Sequence, residues 1–257
     1  EIDIYIESRE LGIEYHGLYW YSVNDSTNGK RRSIDKNYRK EKFELARERG
    51  VTLLQFFEDE WLLKRDIVKS IIKSKLGVYS KRIYARKCEI QKVSKAEADT
   101  FLDECHLQGR AVGTCYGLYY EGSIAALICV GKSRFEKGYE IIRFASTLNT
   151  QVIGGFSKLL KHAKRELDIQ EFITYADLRY STGNLYKSAG KFLSQTNPGY
   201  FWVTHNKTNR IGRFSTQKHK LPSLLGEKFD ANKTETQNME AAGYLKIYDC
   251  GNYKYIV

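Results

Sequence analysis

Two carboxylates near the start of the chain, Asp3 and Glu14, have the side-chain type and the spacing that binding of a divalent cation requires. Asp3 lies in the run IDIYI and Glu14 in the run LGIEYHGLYW, and a tight turn between the two runs predicts a pair of short β-strands. Aliphatic residues alternate along both runs, so the strands place these residues on one face and the carboxylates on the other. The sequence therefore predicts a Mg²⁺ site with Asp3 and Glu14 as ligands, where the ion lowers the pKa of a bound water and stabilises charge on a phosphate.

Further polar side chains follow this pair and are candidates for proton transfer. His16 is suited to donating to a phosphate or carrying a proton, although a lone histidine near a turn is as often structural. Tyr21 is a weaker candidate, because a phenol with a pKa of about 10 is a poor base at neutral pH. The acidic run Glu58–Glu60 ends a buried strand, and it either holds water or lysines near a metal or caps the helix that follows.

The runs IDIYI, IEYHGLYW and GVTLLQFFEDEW together resemble the nuclease core of Vsr-like (very-short-patch-repair type) endonucleases, a variant of the PD-(D/E)XK fold. The resemblance is closer still to phage homing endonucleases that share this core, and it covers roughly residues 1–87. It implies a DNA endonuclease in which Asp3 is the metal-binding aspartate and His16 is the histidine of an HG turn. Trp20 matches the aromatic residue before the key histidine of the family, and we expect it to contact DNA.

Two positions depart from the pattern of the phage enzymes. Tyr21 stands where those enzymes have the general-base histidine of a WHS run, and Arg39 stands where they have the histidine of a YHxxK run. Arginine cannot act as a base, although it can hold phosphate. The resemblance therefore implies a degenerate active site with two outcomes: cleavage supported by the metal alone, or DNA binding without catalysis. In both, Arg39, Lys40 and Lys42 contact the DNA backbone.

Composition favours a polyanionic partner. The 257 residues are 42% hydrophobic and carry a formal net charge of +11, which suits DNA, or RNA, although a basic surface without such a partner is an alternative. The five cysteines show no CxxC spacing and indicate reduced thiols in a cytoplasmic protein, within the host bacterium if a phage encodes the chain. No run reaches the length of a membrane span, and no membrane partner is expected. A homodimer or larger assembly and a preceding N-terminal segment both stay open.

The first 87 residues predict a β-β-α-β-α unit. Its elements are strands at Glu1–Ile6 and Leu11–Trp20, a turn at Asn28-Gly29, a helix from Asp35 to about Arg49, a buried strand at Val51–Phe57 and a helix at Trp61–Leu76.

Residues 88–205 predict an α+β module. The elements are a linking strand at Arg82–Ile90, a helix capped by Ser94, strands at Thr114–Tyr120, Ser123–Val130 and Tyr139–Ala145, a helix at Gly154–Leu167, a strand at Phe172–Ala176, a short helix around Asn184–Ala189 and a strand at Tyr200–Thr204. This order resembles the GNAT acyltransferase fold, including its branch of phage Mom-like proteins. The run QVIGG before the long helix resembles the GNAT pyrophosphate loop, which presents backbone N–H groups to a phosphate. Because a glycine pair before a helix is common, the sequence favours a GNAT-like module that binds no coenzyme A.

Residues 206–257 form a basic, Tyr-rich extension that is predicted to end in a hairpin turning at Cys250-Gly251-Asn252. Its basic residues Arg210, Arg213, Lys218 and Lys220 are predicted to neutralise DNA phosphates. The predicted fold class is therefore α/β: a small Vsr-like core, then a GNAT-like α+β module with a basic tail. The predicted function is Mg²⁺-dependent hydrolysis of DNA phosphodiesters. The first alternative is a catalytically inactive nucleic-acid-binding or structural protein, and the second is a GNAT-type acyltransferase.

Overall fold

Residues that are distant in sequence assemble into two units. The first contains residues 1–63, 178–180 and 197–251, and the second contains residues 64–177, 181–196 and 252–257. The computed structural model describes residues 1–22, 35–133, 136–204, 206 and 208–257, so the predicted turn at Asn28-Gly29 lies outside the described residues. The predicted division of the sequence into 1–87, 88–205 and 206–257 stays a prediction.

The first unit contains a three-stranded sheet with two helices. Its elements are strands β1 (Ile4–Ile6), β2 (Leu11–His16) and β3 (Thr52–Phe57) and helices α1 (Tyr38–Glu48) and α2 (Glu58–Leu63). Strand β2 is central, antiparallel to β1 and parallel to β3. Helix α1 begins later than predicted because the Asp35 carboxylate accepts from the Asn37 backbone N–H, which leaves Asn37 as the N-cap residue.

A second, antiparallel sheet belongs to the same unit. It comprises β12 (Tyr200–Val203), β13 (Arg210–Gly212) and β14 (Leu245–Tyr248), in the order β13-β12-β14, with the helices α7 (Leu221–Leu225) and α8 (Glu235–Ala241). Trp202, Leu221 and Met239 are fully buried and belong to one apolar cluster. Thr234 and Gln237 form a reciprocal capping box that fixes the start of α8.

The second unit is built on a seven-stranded sheet. Its strands are β5 (Glu89–Val93), β6 (Thr114–Tyr120), β7 (Ser123–Lys132), β8 (Tyr139–Ser146), β10 (Ile173–Asp177), β11 (Lys191–Gln195) and β15 (Asn252–Ile256), in the order β11-β15-β10-β8-β7-β6-β5. The pairing between β8 and β10 is parallel, and the other neighbouring strands of this sheet are antiparallel. A small parallel pair, β4 (Lys81–Tyr84) with β9 (Thr150–Ile153), completes the strands of the unit.

The described residues of the second unit form four α-helices: α3 (Arg65–Lys75), α4 (Lys95–Cys105), α5 (Gly155–Leu167) and α6 (Asn184–Lys187). Helix α4 starts at the predicted cap, where the Ser94 hydroxyl accepts from the Glu97 N–H. Helix α5 buries Phe156, Leu159 and Ala163 at helical spacing, so one of its faces packs into the core. None of the helices in the described part of the chain combines the length and apolar character that a membrane crossing needs.

Several other predicted elements also differ from the structure. The predicted helix Trp61–Leu76 is two helices, because the backbone of Lys64 leaves the helical region. The predicted strand Arg82–Ile90 is interrupted by a 3₁₀ turn at Ala85–Lys87. The terminal hairpin is wrong: Gly251 does make a turn at positive φ, but β14 pairs with β12, whereas β15 pairs with β10 and β11.

Candidate functional site

The predicted metal ligands Asp3 and Glu14 are close together, but three of their four carboxylate oxygens already have partners in the protein. The Glu14 carboxylate accepts from the Asp3 N–H at 3.1 Å and lies 2.7 Å from the Lys42 ammonium, and the Asp3 carboxylate accepts from the Tyr15 N–H at 2.8 Å. Glu14 is only 1% exposed, whereas Tyr15 is exposed. The face of β2 that carries Glu14 is therefore buried, and Lys42 provides the ionic partner for its carboxylate.

His16 is a core residue rather than a group that faces a substrate. It is fully buried, and its Nε2 lies 2.9 Å from Oε1 of Gln55, an amide oxygen that can only accept, so Nε2 carries the proton. Burial, together with the nearby Arg39 charge, lowers the pKa of His16 well below its usual value. The imidazole is therefore neutral at physiological pH, and the Tyr21 ring packs against it at 4.8 Å.

Arg39 is also buried and does not present a cation to a polyanion. Its Nη1 donates to the Tyr248 carbonyl at 2.9 Å, and its guanidinium lies over the rings of Tyr21 and Phe57. Burial lowers the pKa of Arg39 to about 10, so the group stays charged at neutral pH. The sequence selected His16, Tyr21 and Arg39 as residues of one candidate site. The structure does bring them together, but they pack against one another.

The acidic run after β3 forms an ion cluster with two arginines. Both Glu60 oxygens accept from Arg179 Nη1, at 2.8 and 2.9 Å, and Glu60 also accepts from Arg210 Nη2 at 2.9 Å. Asp59 accepts from Arg210 Nε at 2.8 Å. Glu58 has a different role, since it accepts from the Leu18 N–H at 2.9 Å. Arg210, predicted to contact DNA, is thus neutralised within the unit.

The remaining predicted DNA-binding residues differ in exposure. Trp20 is 75% exposed, and Arg213 and Lys218 are exposed, whereas Lys40 and Lys220 are half-buried. Lys42 is paired with Glu14. A role for these residues in binding nucleic acid stays a prediction.

An opening interrupts the seven-stranded sheet of the second unit between β8 and β10. The ladder that joins these parallel strands consists of two pairs, Glu140 with Ile173 and Ile141 with Thr174. Beyond it both strands continue, β8 to Ser146 along β7 and β10 to Asp177 along β15. The ladder therefore ends in the middle of the sheet, and Ile142, Arg143 and Phe144 are only half-buried although β8 is an interior strand.

Helix α5 begins on the chain segment that follows β8, and its N-terminus lacks a capping side chain. The N-cap residue is Gly154, at φ 76°, and the first turn of α5 carries no acidic residue. A Cβ on the next residue, Gly155, would lie 2.9 Å from Cγ1 of Val152, so glycine allows the strand β9 to turn closely into the helix. The first N–H groups of such a helix attract anions.

Tyr186, on α6, adjoins the end of the β8–β10 ladder. Its hydroxyl lies near the side chain of Thr174, the last residue of β10 in that ladder, and its ring centroid lies 5.5 Å from that of Phe156. Burial raises the pKa of Tyr186, so its phenol is protonated at neutral pH. The sequence did not point to this residue, because nothing local distinguishes it among 19 tyrosines.

Comparison with known proteins finds solved structures of acetyltransferases. The IAA acetyltransferase from Bacillus cereus is 14% identical, with 66% of this chain and 98% of that chain covered and a TM-score of 0.37. An acetyltransferase from Bacillus subtilis in complex with CoA gives the same values. A GNAT family acetyltransferase from Elizabethkingia anophelis with acetyl-CoA bound is 16% identical, with 66% and 97% covered and a TM-score of 0.33. No family model and no curated protein matches the chain.

The identification as a Vsr-like endonuclease is wrong, and with it the predicted nuclease and hydrolase function. The similar structures are acetyltransferases. The findings favour the second alternative, a GNAT-type acyltransferase, over the nuclease, and the described residues form a mixed α/β fold. No Vsr-like protein is among these similar structures, so the comparisons do not support the predicted Vsr-like core.

Both cofactor predictions are contradicted. The residues that the structure describes contain no group of three histidine, cysteine or acidic side chains able to hold a metal ion such as Mg²⁺. Coenzyme A was not expected as a ligand, whereas the Bacillus subtilis structure contains CoA and the Elizabethkingia anophelis structure contains acetyl-CoA.

Proposed function

We propose that the second unit is an acyltransferase that uses an acyl-coenzyme A donor and an amine acceptor. The observation that carries this proposal is the opening between β8 and β10, with the uncapped N-terminus of α5 on the segment that follows β8. Strand edges pair readily with extended chains that contain amides, and the pantetheine arm of coenzyme A is such a chain. The first turn of α5 would hold the diphosphate, because its N–H groups and helix dipole favour negative charge.

Tyr186 supplies a proton in this proposal. A neutral amine attacks the carbonyl carbon of the thioester, the C–S bond breaks, and coenzyme A leaves as a thiolate. Tyr186, whose raised pKa keeps its phenol protonated at neutral pH, donates its proton to this thiolate, and the proton that the acceptor nitrogen loses restores the phenol. The packing against Phe156 fixes the position of the Tyr186 ring. The acceptor in this proposal is an amine.

Acetyl-coenzyme A is expected to raise the melting temperature of the full chain by about 5 °C at a ligand concentration of 100 times Kd, which corresponds to about 2.7 kcal/mol. Differential scanning fluorimetry and titration calorimetry measure this effect. No shift and no heat at millimolar acetyl-coenzyme A would contradict the proposal.

The variant that tests the diphosphate site most directly is Ser157→Glu, because Ser157 is exposed in the first turn of α5. A carboxylate there stabilises the helix through its dipole but repels a diphosphate, so binding should weaken at least tenfold while the melting temperature of the free protein is retained. The matched control, Ser157→Gln, has the same size without the charge and should bind normally.

Nucleic acid is a second proposed partner, through the first unit. The segment after β13 combines exposed basic residues with an exposed ring: Phe214 is 63% exposed, and the Lys220 ammonium lies 3.4 Å from its ring centroid. Arg213 and Lys218 are exposed in the same segment. Cations that neutralise phosphates next to rings that stack on bases are typical of binding to single-stranded nucleic acid.

Replacing Arg213 and Lys218 with glutamine is expected to weaken binding of a single-stranded oligonucleotide and to reduce the slope of log K against log salt by about one for each phosphate that is no longer neutralised. Fluorescence anisotropy at several salt concentrations measures both quantities. The control Lys73→Gln removes an exposed cation from the second unit and should leave the slope unchanged. An equal reduction in the control would indicate only a general effect of net charge.

A further inference from the structure

Two of the five cysteines face each other across neighbouring strands of the seven-stranded sheet. Cys115 on β6 is directly opposite Cys129 on β7, and these strands are antiparallel. Both residues belong to the same buried cluster, together with Phe101 and Leu102 of α4. Their side chains therefore project from the same face of the sheet, toward α4.

A cavity of about 270 Å³ lies beside this cysteine pair. Cys115 lines it directly, together with Gly113, Lys95 and Asp99. A Cβ on Gly113 would lie 3.0 Å from Sγ of Cys129, so the second thiol lies behind the glycine wall of the same cavity. Cys115 is 6% exposed and Cys129 is fully buried. A small solute therefore reaches Cys115 first.

We propose that Cys115 and Cys129 form a reversible dithiol–disulfide pair, oxidised through this cavity by a low-molecular-weight disulfide such as oxidised glutathione. The Cys115 thiolate attacks one sulfur of that disulfide, which forms a mixed disulfide and expels one glutathione thiolate. The Cys129 thiolate then attacks Sγ of Cys115, forms the internal disulfide and expels the second glutathione. The two cysteine protons pass to the two departing thiolates, so the protein loses two electrons and the glutathione disulfide gains them.

The backbone geometry allows this product without rearrangement. Directly opposed residues of antiparallel strands have Cα atoms about 4.5–5.5 Å apart, and disulfides span Cα distances of about 4.4–6.8 Å. Formation of the bond then requires rotation about the side-chain bonds of the two cysteines.

The order of attack agrees with the electrostatics of the pair. The neighbouring Cys129 thiol lowers the pKa of Cys115, and the nearby Lys95 ammonium lowers it further, although burial opposes both. The same interaction between the thiols raises the pKa of Cys129. Once Cys115 is part of a mixed disulfide, this interaction no longer exists, and Cys129 becomes easier to ionise.

The test uses the full chain, incubated with oxidised glutathione, then alkylated and analysed by intact mass and peptide mapping. We expect one species lighter by two hydrogen atoms before alkylation, a single cross-linked peptide pair containing Cys115 and Cys129, and reversal by dithiothreitol. A cross-link through another cysteine, or none in a protein that circular dichroism shows to be folded, would overturn the proposal.

Two variants separate the roles of the thiols. Cys129→Ser should stop at a stable glutathione adduct on Cys115, because no second thiol resolves it. Cys88→Ser, which removes another buried thiol of the same unit, should form the internal disulfide like the unmodified chain. Absence of the adduct in folded Cys129→Ser would show that Cys115 is not the entry point.

Discussion

Replacing Glu60 with glutamine is expected to lower the free energy of unfolding at pH 7 by about 3–5 kcal/mol, the usual loss when one partner of a buried ion pair is removed. Glu60 is 6% exposed, and its carboxylate accepts from both Arg179 and Arg210 and from the Phe57 N–H. The glutamine amide has the size of the glutamate side chain but carries no charge. The two guanidinium groups therefore lose one negative charge that balances them. Asp59 compensates only for Arg210.

The destabilisation should depend on pH in a defined direction. Burial alone raises the pKa of Glu60, but Arg179, Arg210 and the Phe57 N–H outweigh it and lower the pKa from 4.5 to about 2. A depressed folded-state pKa contributes stability that is present above the unfolded-state pKa and is lost as pH falls toward the folded-state value. The contribution, about 3 kcal/mol by linkage, should therefore be constant above pH 5 and decline from pH 4.5 to pH 2.

Urea unfolding of the unmodified chain and of Glu60→Gln, at pH 7 and at several values below pH 5, measures both effects. The control Glu48→Gln changes an exposed glutamate on α1 and should alter stability by less than about 0.5 kcal/mol. A difference between the unmodified chain and Glu60→Gln that stays constant down to pH 2 would show that the carboxylate charge is not the source of the stabilisation.

Replacing Tyr186 with phenylalanine should lower kcat for acyl transfer about 100-fold, within the range typical of general acid catalysis. The ring and its packing against Phe156 are retained, so KM for acetyl-coenzyme A should change little. Release of the free thiol from acetyl-coenzyme A, with spermidine or polylysine as amine acceptor, provides the assay.

The matched control for this measurement is Tyr119→Phe. Its hydroxyl donates to the Glu97 carboxylate at 2.7 Å and belongs to the same unit, so the variant also loses one hydroxyl group. It should retain normal turnover. Unchanged turnover in Tyr186→Phe would remove this tyrosine from the mechanism, and an equal decrease in both variants would point to a general defect in folding.

Local sequence patterns predicted most elements of the second unit, because these have their own periodicity and capping residues, but they did not indicate β9 or β11. The capping residue Ser94 and the apolar face of α5 are examples. The terminal hairpin failed because the turn at Gly251 is a local property, whereas the choice of partner for β15 depends on strands more than 50 residues earlier. Sequence pattern carries little information about such long-range pairing.

The candidate site was predicted less well, for a related reason. The sequence correctly indicated that Asp3 and Glu14 lie together, but the pattern of two carboxylates is identical whether their partner is a metal ion or a lysine. The partner of Glu14 is Lys42, which comes from a helix nearly 30 residues later in the chain. Similarly, Tyr186 differs from other tyrosines only through Thr174 and Phe156, which contact it in the folded chain.

Strand β15 has a consequence for the order in which the chain acquires its structure. It lies between β10 and β11, yet residues 197–251, which belong to the other unit, separate it from β11 in sequence. During vectorial synthesis, β10 and β11 therefore emerge from the ribosome long before the strand that joins them. High contact order of this kind slows folding, and the exposed strand edges of the waiting intermediate are a target for chaperones. Folding of the second unit is thus completed only after the last segment of the first unit has been synthesised.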